Sequence, residues 1–208
     1  KDLDMPYWTH ASADWLNNAV ISKFPLKRCK EVYLHGTSNK EVRSAVVCDV
    51  EVMTPSNSAF TLTLVATHLD HLRENDRICQ LTQLSNIMMP RKNESNGLIL
   101  VGDLNSVTRT DFEDCQWVKN MSRRKRAHLE EPKCEVSCML RKMNFVDAAT
   151  GLLVGSPSSV VIEATSAYET RVDYICVLNE QRNKGEHCID VIPSSYCVIE
   201  TGTTDHKM

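Results

Sequence analysis

Four short polar motifs, far apart in the 208-residue sequence, carry the side chains whose types could do chemistry. They are Thr67–His71 (THLDH), Gly102–Asn105 (GDLN), Arg171–Tyr174 (RVDY) and Thr204–His206 (TDH). The first two each follow an apolar, β-branched run that predicts a buried strand. Polar groups that emerge where buried strands meet solvent are a common way to build an active site. We therefore expect the four motifs to converge on one site.

The side chains of these motifs divide into metal ligands and proton carriers. Asp103, Asn105 and Asp205 offer carboxylate and amide oxygens, which suit a hard cation such as Mg²⁺, with Mn²⁺ as the alternative. Histidine is a poor ligand for Mg²⁺. His68 and His206 are therefore better suited to move protons or to donate to a developing oxyanion.

Two further roles complete the expected chemistry. The carboxylate of Asp173 can orient His206 and stabilise its protonated form, and the amide of Asn105 can also hold an attacking water or a phosphate oxygen. A cation that neutralises phosphate oxygens, placed beside groups that handle protons, suits the attack of water on a phosphoester. The residues therefore predict phosphoester hydrolysis.

Each of these residues also has a purely structural explanation. An aspartate after a strand is often a turn former, and a polar side chain at a strand end is often only hydrogen bonded to the backbone. Four motifs that each lie at a predicted strand terminus agree with one another, and this agreement favours the functional interpretation.

Composition bounds the class of protein. A net charge of -3 and a pI near 6.2 give no global positive field that would steer the chain onto nucleic acid. The nine cysteines lack zinc-ligand spacing, which favours buried free thiols in a reducing compartment. The sequence has no apolar stretch long enough to span a membrane and no signal-like start, so we expect neither membrane insertion nor secretion. We expect an intracellular monomer, cytoplasmic or nuclear.

The first half of the chain predicts strands followed by a helix. Strands are expected at Glu31–Leu34, Glu41–Val52 and Phe60–Ala66. The turn-forming cluster Thr54–Ser58 joins the last two, which favours an antiparallel hairpin. Apolar residues from Leu72 to Met88 then recur at helical spacing until Pro90 stops the helix, before a strand at Leu98–Val101.

The second half predicts helices and two further strands. The polar region from Asp111 to Asn144 is mostly helical and contains the basic run Ser122–Arg126. This run suits a nuclear address or a phosphate contact, but a solvated helix face is favoured because short charged runs are usually surface. Strands are expected at Val172–Val177 and Cys188–Ile192.

The order of the four motifs resembles the endonuclease/exonuclease/phosphatase superfamily, whose fold is called DNase I-like. Its motifs include a histidine near THL, a GDxN, an RxDY and a terminal SDH. The segment Asn17–Pro25 (NNAVISKFP) is also similar to the GNAILSRYP segment of that family. The resemblance spans Asn17 to His206, nearly the whole chain.

This resemblance implies an α/β (α+β) fold of two packed, mostly antiparallel β-sheets flanked by helices, a four-layer sandwich. Residues 1–208 would form one such domain, incomplete because it lacks the N-terminal strand-helix unit and the last strand of the family. The implied activity is metal-dependent hydrolysis of a nucleic acid or another phosphoester by in-line attack of water. The RVDY motif lacks the tryptophan-rich sequence of the phosphatase branch, which favours a nuclease-like member.

The resemblance also implies a role for each matching residue. The implied roles are metal and phosphate binding by Asp103 and Asn105, metal binding by Asp205, a dyad of Asp173 and His206, phosphate or leaving-group assistance by His68, and substrate contacts by Asn18 and Arg171. The sequence departs from the family in two places. Thr204 replaces a serine, and Lys1 to Trp15 contains no counterpart of the metal-binding glutamate found in an LQEV-like strand. The alternative to an active enzyme is an impaired remnant that serves only as a binding domain.

Overall fold

The computed structural model describes residues 4–13, 16–37, 41–53, 58–160, 162–179, 189–199 and 206. Over these residues the chain forms eight strands and three α-helices. None of these helices is long and apolar enough to cross a membrane. The elements are β1 Tyr7–Ala13, β2 Leu16–Ser22, β3 Leu26–His35, β4 Val42–Met53, β5 Ala59–His68, α1 Glu74–Arg91, β6 Gly97–Asp103, α2 Asp114–Arg126, α3 Glu135–Lys142, β7 Phe145–Asp147 and β8 Asp173–Leu178.

The strands form two sheets. Six of them lie in the order β3-β4-β5-β6-β8-β7, and β1 pairs with β2 in a separate ribbon. Only the β5–β6 pair among these strands is parallel, with α1 as its crossover, and the other pairs are antiparallel. The expected fold of two mostly antiparallel sheets with flanking helices is confirmed.

The large sheet is buried on both faces, and β4 shows why. Successive side chains of a strand point to opposite faces, and in β4 Ala45 and Val47 join a core cluster with the helices, while Val46 and Cys48 join a second cluster with the ribbon. Helices α1 and α3 supply the helical side of the first cluster. The described residues therefore form three layers, helices, large sheet and ribbon, where the resemblance implied four. The helical contributions are Leu81, Leu84 and Met88 from α1 and Val136 and Leu140 from α3.

The predicted helix after His71 is present, but both of its ends differ from the expectation. Leu72 precedes α1 and is 44% exposed, so it does not belong to the apolar face. Pro90 lies inside the last turn, and the helix ends one residue later at Arg91. Proline has no backbone N–H to donate to the helix. Because Pro90 lies in the last turn, only one helical residue, Arg91, follows it.

The strand expected at Cys188–Ile192 needs correction. Residues 189–192 form no strand and lead into a 3₁₀ turn, Pro193–Ser195, while Cys188 lies outside the described residues. The side chain of Ile189 packs over Gly97 at the start of β6. Both edges of β6 are already paired, one with β5 and the other with β8, so this segment cannot pair with β6. Strand β1 was not predicted, since its alternating Thr9, Ala11 and Ala13 give little apolar signal.

The expected hairpin and the helical region are both confirmed. Strands β4 and β5 pair antiparallel from Ala45↔Thr67 to Met53↔Ala59, although residues 54–57 of the turn cluster lie outside the described part of the chain. Helices α2 and α3 occupy the polar region, and the basic run forms the last turn of α2.

Candidate active site

Three motif residues lie side by side because the register of three neighbouring strands aligns them. His68 at the end of β5 is the partner of Asp103 in β6, and Asp103 is in turn the partner of Asp173 in β8. Side chains of directly paired residues point to the same face of a sheet. His68 Nε2 accordingly lies 3.4 Å from Asp103 Oδ2.

The fourth motif brings a second imidazole to the same carboxylate. His206 forms an isolated β-bridge with Ser166, and this places His206 Nδ1 2.9 Å from Asp173 Oδ2. Its Nε2 lies 3.6 Å from Asp103 Oδ2. The structure therefore brings together His68, Asp103, Asp173 and His206. Thr204 and Asp205 lie outside the described residues.

Backbone packing explains the glycine of the GDLN motif. Gly102 has a φ of +139°, and a Cβ there would lie 1.8 Å from the carbonyl oxygen of Thr67. Only glycine tolerates this close approach of two strands. Strands β5 and β6 can then carry His68 and Asp103 to the same point.

Asn105 ties the two central motifs together. It has a left-handed φ of 47°, and its backbone N–H donates to Asp103 Oδ1 over 2.7 Å. Its side-chain Nδ2 donates to the carbonyl oxygen of Leu69 over 3.0 Å. The described contacts of Asn105 therefore use its nitrogen atoms, and its Oδ1 is the atom suited to a cation or a water.

The two carboxylates of the site repel each other. Burial and, after it, the nearby Asp173 carboxylate raise the pKa of Asp103 to about 6, although the N–H of Asn105 opposes the shift. Ligand atoms of Asp103, Asp173 and His206 all lie within 4.8 Å of one another. A partly buried pair of carboxylates is a donor set that a divalent cation stabilises. The residues present therefore fit a metal ion.

His68 is held in its neutral form. Burial and, after it, the guanidinium of Arg43 lower the pKa of His68 to about 4. At neutral pH the imidazole therefore offers one N–H donor and one acceptor nitrogen. A neutral ring in this position can donate to a phosphate oxygen without carrying a charge itself.

Arg43 is a site neighbour that sequence reasoning missed. It lies in β4 with only 1% of its surface exposed, and its Nη2 lies 2.7 Å from His71 Nδ1 and 2.9 Å from Glu41 Oε2. Arginine can only donate, so Nδ1 of His71 is the acceptor. The one available signal was its charge two residues before the apolar stretch 45–48 of β4.

Asp70, between the two histidines of the THLDH motif, has a structural role. Its Oδ1 accepts hydrogen bonds from the N–H groups of Leu72 and Arg73, each over 2.8 Å, just before α1 begins. Asp70 therefore shapes the loop that links the site to the helix.

Arg171 does not occupy the position of a substrate contact, and the expectation for it needs correction. Its guanidinium is 1% exposed and donates twice to the carboxylate of Asp147, over 2.6 Å each. It also lies 4.2 Å from the ring centre of Tyr174. Arg171 is therefore an internal support of β8, the strand that carries Asp173.

Asn18 faces the interior of the sandwich. It lies on β2, half-buried, and its Nδ2 donates to both the carbonyl oxygen and the Oγ of Ser44, over 2.9 Å each. These bonds join the ribbon to the large sheet beside Arg43. The described contacts of its amide nitrogen are structural ones.

A further carboxylate, that of Asp111, is buried beside Arg171 and Tyr174. Asp111 Oδ2 lies 3.8 Å from Arg171 Nη1 and 3.4 Å from the hydroxyl of Tyr174. Burial raises the pKa of Asp111 to about 6 despite the opposing effect of Arg171. No motif marked this residue in the sequence.

Replacing Asp111 by Asn is expected to stabilise the protein at pH 8 by about 1 to 3 kcal/mol, since each pKa unit corresponds to roughly 1.4 kcal/mol. The unfolded carboxyl ionises near pH 4, whereas the folded one resists ionisation up to about pH 6. The stability that this group contributes is therefore present below pH 4 and is lost as the pH rises through 6. Urea unfolding between pH 4 and pH 8 measures the difference.

The advantage of Asp111→Asn should disappear as the pH falls towards 4. The matched control is Asp114→Asn, whose side chain is 95% exposed. A variant whose stability follows that of the wild type at every pH would contradict the burial of an ionisable Asp111.

Comparison with known proteins identifies the fold. No protein-family model and no curated protein matches the sequence. The structure is similar to a mannosyl-6-phosphatase of Bacteroides thetaiotaomicron, with a TM-score of 0.55 at 14% identity. It is also similar to ANGEL2, described as a 2′,3′-cyclic phosphatase, with a TM-score of 0.51 at 13% identity. The chain has the DNase I-like fold.

This chain, with its DNase I-like fold, aligns with only part of each of the two similar structures. The alignments cover 83% and 84% of this chain, but 63% and 62% of the phosphatase and ANGEL2 chains. The chain therefore spans slightly less than two thirds of either structure. At these identities the likeness establishes the fold, as the motif resemblance predicted.

Proposed function

We propose that the protein is a divalent-metal-dependent phosphoesterase that hydrolyses phosphodiester bonds in a nuclease-like manner. One observation carries the proposal. Residues from four motifs, spread over 139 positions from His68 to His206, converge on the carboxylate of Asp103. A shared site of two carboxylates and two imidazoles is more than strand-end turns would require.

The metal site of this proposal is built on Asp103. Asp103 and Asn105 would hold Mg²⁺, or Mn²⁺ as the alternative, together with Asp205 of the adjoining motif. The bound cation would neutralise phosphate oxygens and lower the pKa of a water. Asp173 lies close enough to Asp103 for the two carboxylates to share the positive charge.

The remaining groups handle protons and orientation. Asp173 Oδ2 faces His206 Nδ1, and this contact holds the imidazole with Nε2 towards Asp103 and stabilises its protonated form. His206 is thus suited to take a proton from the attacking water. The neutral His68 is suited to donate to a phosphate oxygen or to the leaving oxygen. Arg171 and Asn18 act as supports of β8 and of the sheet-to-ribbon contact.

A substrate panel tests the reaction class. We expect the protein in Mg²⁺ to release p-nitrophenol from bis(p-nitrophenyl) phosphate, and to release it more slowly from the monoester p-nitrophenyl phosphate. Carrying out the reaction in ¹⁸O-labelled water should place the label in the phosphate-containing product, because water attacks phosphorus. Failure to hydrolyse either ester, with the fold intact by circular dichroism, would favour the alternative of a binding domain without turnover.

A further inference from the structure

An exposed tyrosine lies in the turn that contacts the Asp173–His206 pair. Tyr168 is 73% exposed, more than any other large hydrophobic or aromatic side chain among the described residues. It lies two residues after Ser166, whose backbone forms the β-bridge with His206. Consecutive Cα atoms are about 3.8 Å apart, so Tyr168 lies close to the rim of the site.

The turn that carries Tyr168 is held firmly to the site. Thr165 Oγ1 accepts hydrogen bonds from the N–H groups of Val172 and Asp173, each over 3.1 Å. The hydroxyls of Ser166 and Thr170 lie 2.8 Å apart across the turn. Because the backbone of the turn is already ordered, little backbone freedom is lost when a ligand stacks on an aromatic side chain that the turn carries.

A basic helix face lies directly beside this turn. Lys119, Arg123 and Arg126 recur at intervals of four and three residues, which places them on one side of α2. Arg123 Nη1 approaches the carbonyl oxygen of Tyr168 at 3.4 Å. The basic face of α2 and the turn that carries Tyr168 therefore adjoin each other on the protein surface.

One carboxylate only partly neutralises the face. Glu169, the residue after Tyr168, receives Lys119 Nζ and Arg123 Nη1 on the same Oε2, each over 2.9 Å. Three cations against one anion leave a local excess of positive charge in a chain whose net charge is -3. Exposed ion pairs of this kind are weak, so phosphates can displace Glu169 from them.

We propose that Tyr168 and this basic face of α2 bind single-stranded nucleic acid and lead it into the site. A nucleobase stacks on the Tyr168 ring, and neighbouring phosphates contact Lys119, Arg123 and Arg126. An aromatic platform beside a track of cations is the combination that binds single strands, because every unpaired base offers a face for stacking. This assignment rests on the proposed function and names its substrate class.

Binding is tested without turnover. Fluorescence anisotropy of a labelled single-stranded oligonucleotide, DNA in one arm and RNA in the other, is measured in EDTA. Tyr168→Ala should weaken binding roughly fivefold to a hundredfold, whereas Tyr168→Phe should retain it. The matched control is Tyr33→Ala, on the edge strand β3, where the tyrosine is also more than half exposed.

The cationic part has its own readout. Arg123→Ala should reduce the slope of log affinity against log salt by about 0.7, the value for one phosphate contact on a single strand. Lys142→Ala, on α3, should leave the slope unchanged. Glu169→Gln should tighten binding, since it removes the competing carboxylate.

The outcomes separate this proposal from the proposed function. If Tyr168→Ala and Arg123→Ala bind as the wild type does, or if duplex DNA binds more tightly than single strands, the surface assignment is overturned. Hydrolysis of bis(p-nitrophenyl) phosphate by the wild type would still support the phosphoesterase in that case. Conversely, binding that depends on Tyr168 in a protein that cleaves no phosphodiester supports the surface and contradicts the enzyme.

Discussion

Replacing Asp103 by Asn is expected to lower kcat/KM for bis(p-nitrophenyl) phosphate more than about a hundredfold, because groups that only support a metal ligand already account for roughly tenfold to a hundredfold. Asp103 Oδ2 is the atom that both His68 and His206 approach. The substitution keeps the shape of the side chain while it removes the charge. Steady-state kinetics in saturating Mg²⁺ measures the loss.

The same variant is expected to be more stable than the wild type when no metal is bound. Burial and the Asp173 carboxylate raise the pKa of Asp103 to about 6, so the ionised side chain destabilises the folded protein at pH 7. Asparagine relieves this by about 1 to 3 kcal/mol, at roughly 1.4 kcal/mol for each pKa unit. Glu31→Gln, on the edge strand β3, is the control. An inactive variant that is also less stable would indicate damage to the fold instead of loss of a ligand.

Replacing Asp147 by Ala is expected to destabilise the protein by about 3 to 5 kcal/mol, the usual effect of leaving a buried charge without its partner. Both oxygens of Asp147 bind the guanidinium of Arg171, which is 1% exposed. Asp111, at 3.8 Å, is too distant to replace this two-bonded contact. Urea unfolding monitored by tryptophan fluorescence measures the change.

A double variant is the control for this prediction. Asp147→Ala combined with Arg171→Met removes both charges of the pair and should be less destabilised than Asp147→Ala alone, because the guanidinium no longer lies buried without its main partner. The single variant Arg171→Met is measured as well. If the effects of Asp147→Ala and Arg171→Met on the free energy of unfolding simply add in the double variant, Asp147 and Arg171 are not coupled, and the account of Arg171 as a support for β8 is wrong.

The convergence of the site followed from the sequence because its residues obey strand geometry. His68 and Asp103 each end an apolar run, and parallel neighbours end at the same edge of a sheet. Asp173 stands at the start of a strand, and its antiparallel pairing with β6 brings that start to the end of β6. The apolar runs and the polar motifs beside them were enough to expect these three side chains together, whereas the strand order that aligns them came from the structure.

The supports of the site could not be predicted in this way. Asp147 and Arg171 are 24 positions apart: Asp147 ends the three-residue strand β7, and Arg171 lies two residues before β8 begins. Glu74, at the start of α1, accepts hydrogen bonds from the N–H groups of Glu135 and Val136 at the start of α3. Such pairs form between elements whose relative placement has no periodic signal in the sequence.

The strand that was wrongly expected at Cys188–Ile192 has a physical explanation. The segment 189–192 has the apolar residues of a strand, but the strand that it covers, β6, already has two partners. Whether an apolar run pairs or only packs depends on which sheet edges are free, and this is a property of the whole fold. Local pattern cannot decide it.

The most direct test of the central claim is the rate at which the wild-type protein hydrolyses bis(p-nitrophenyl) phosphate as metal is removed and restored. We predict hydrolysis in Mg²⁺, loss of hydrolysis after chelation with EDTA, and recovery when Mg²⁺ is added in excess, with no recovery in Asp103→Asn. Hydrolysis that continues unchanged in EDTA, or that is equally fast in Asp103→Asn, would contradict a metal-dependent phosphoesterase built on Asp103.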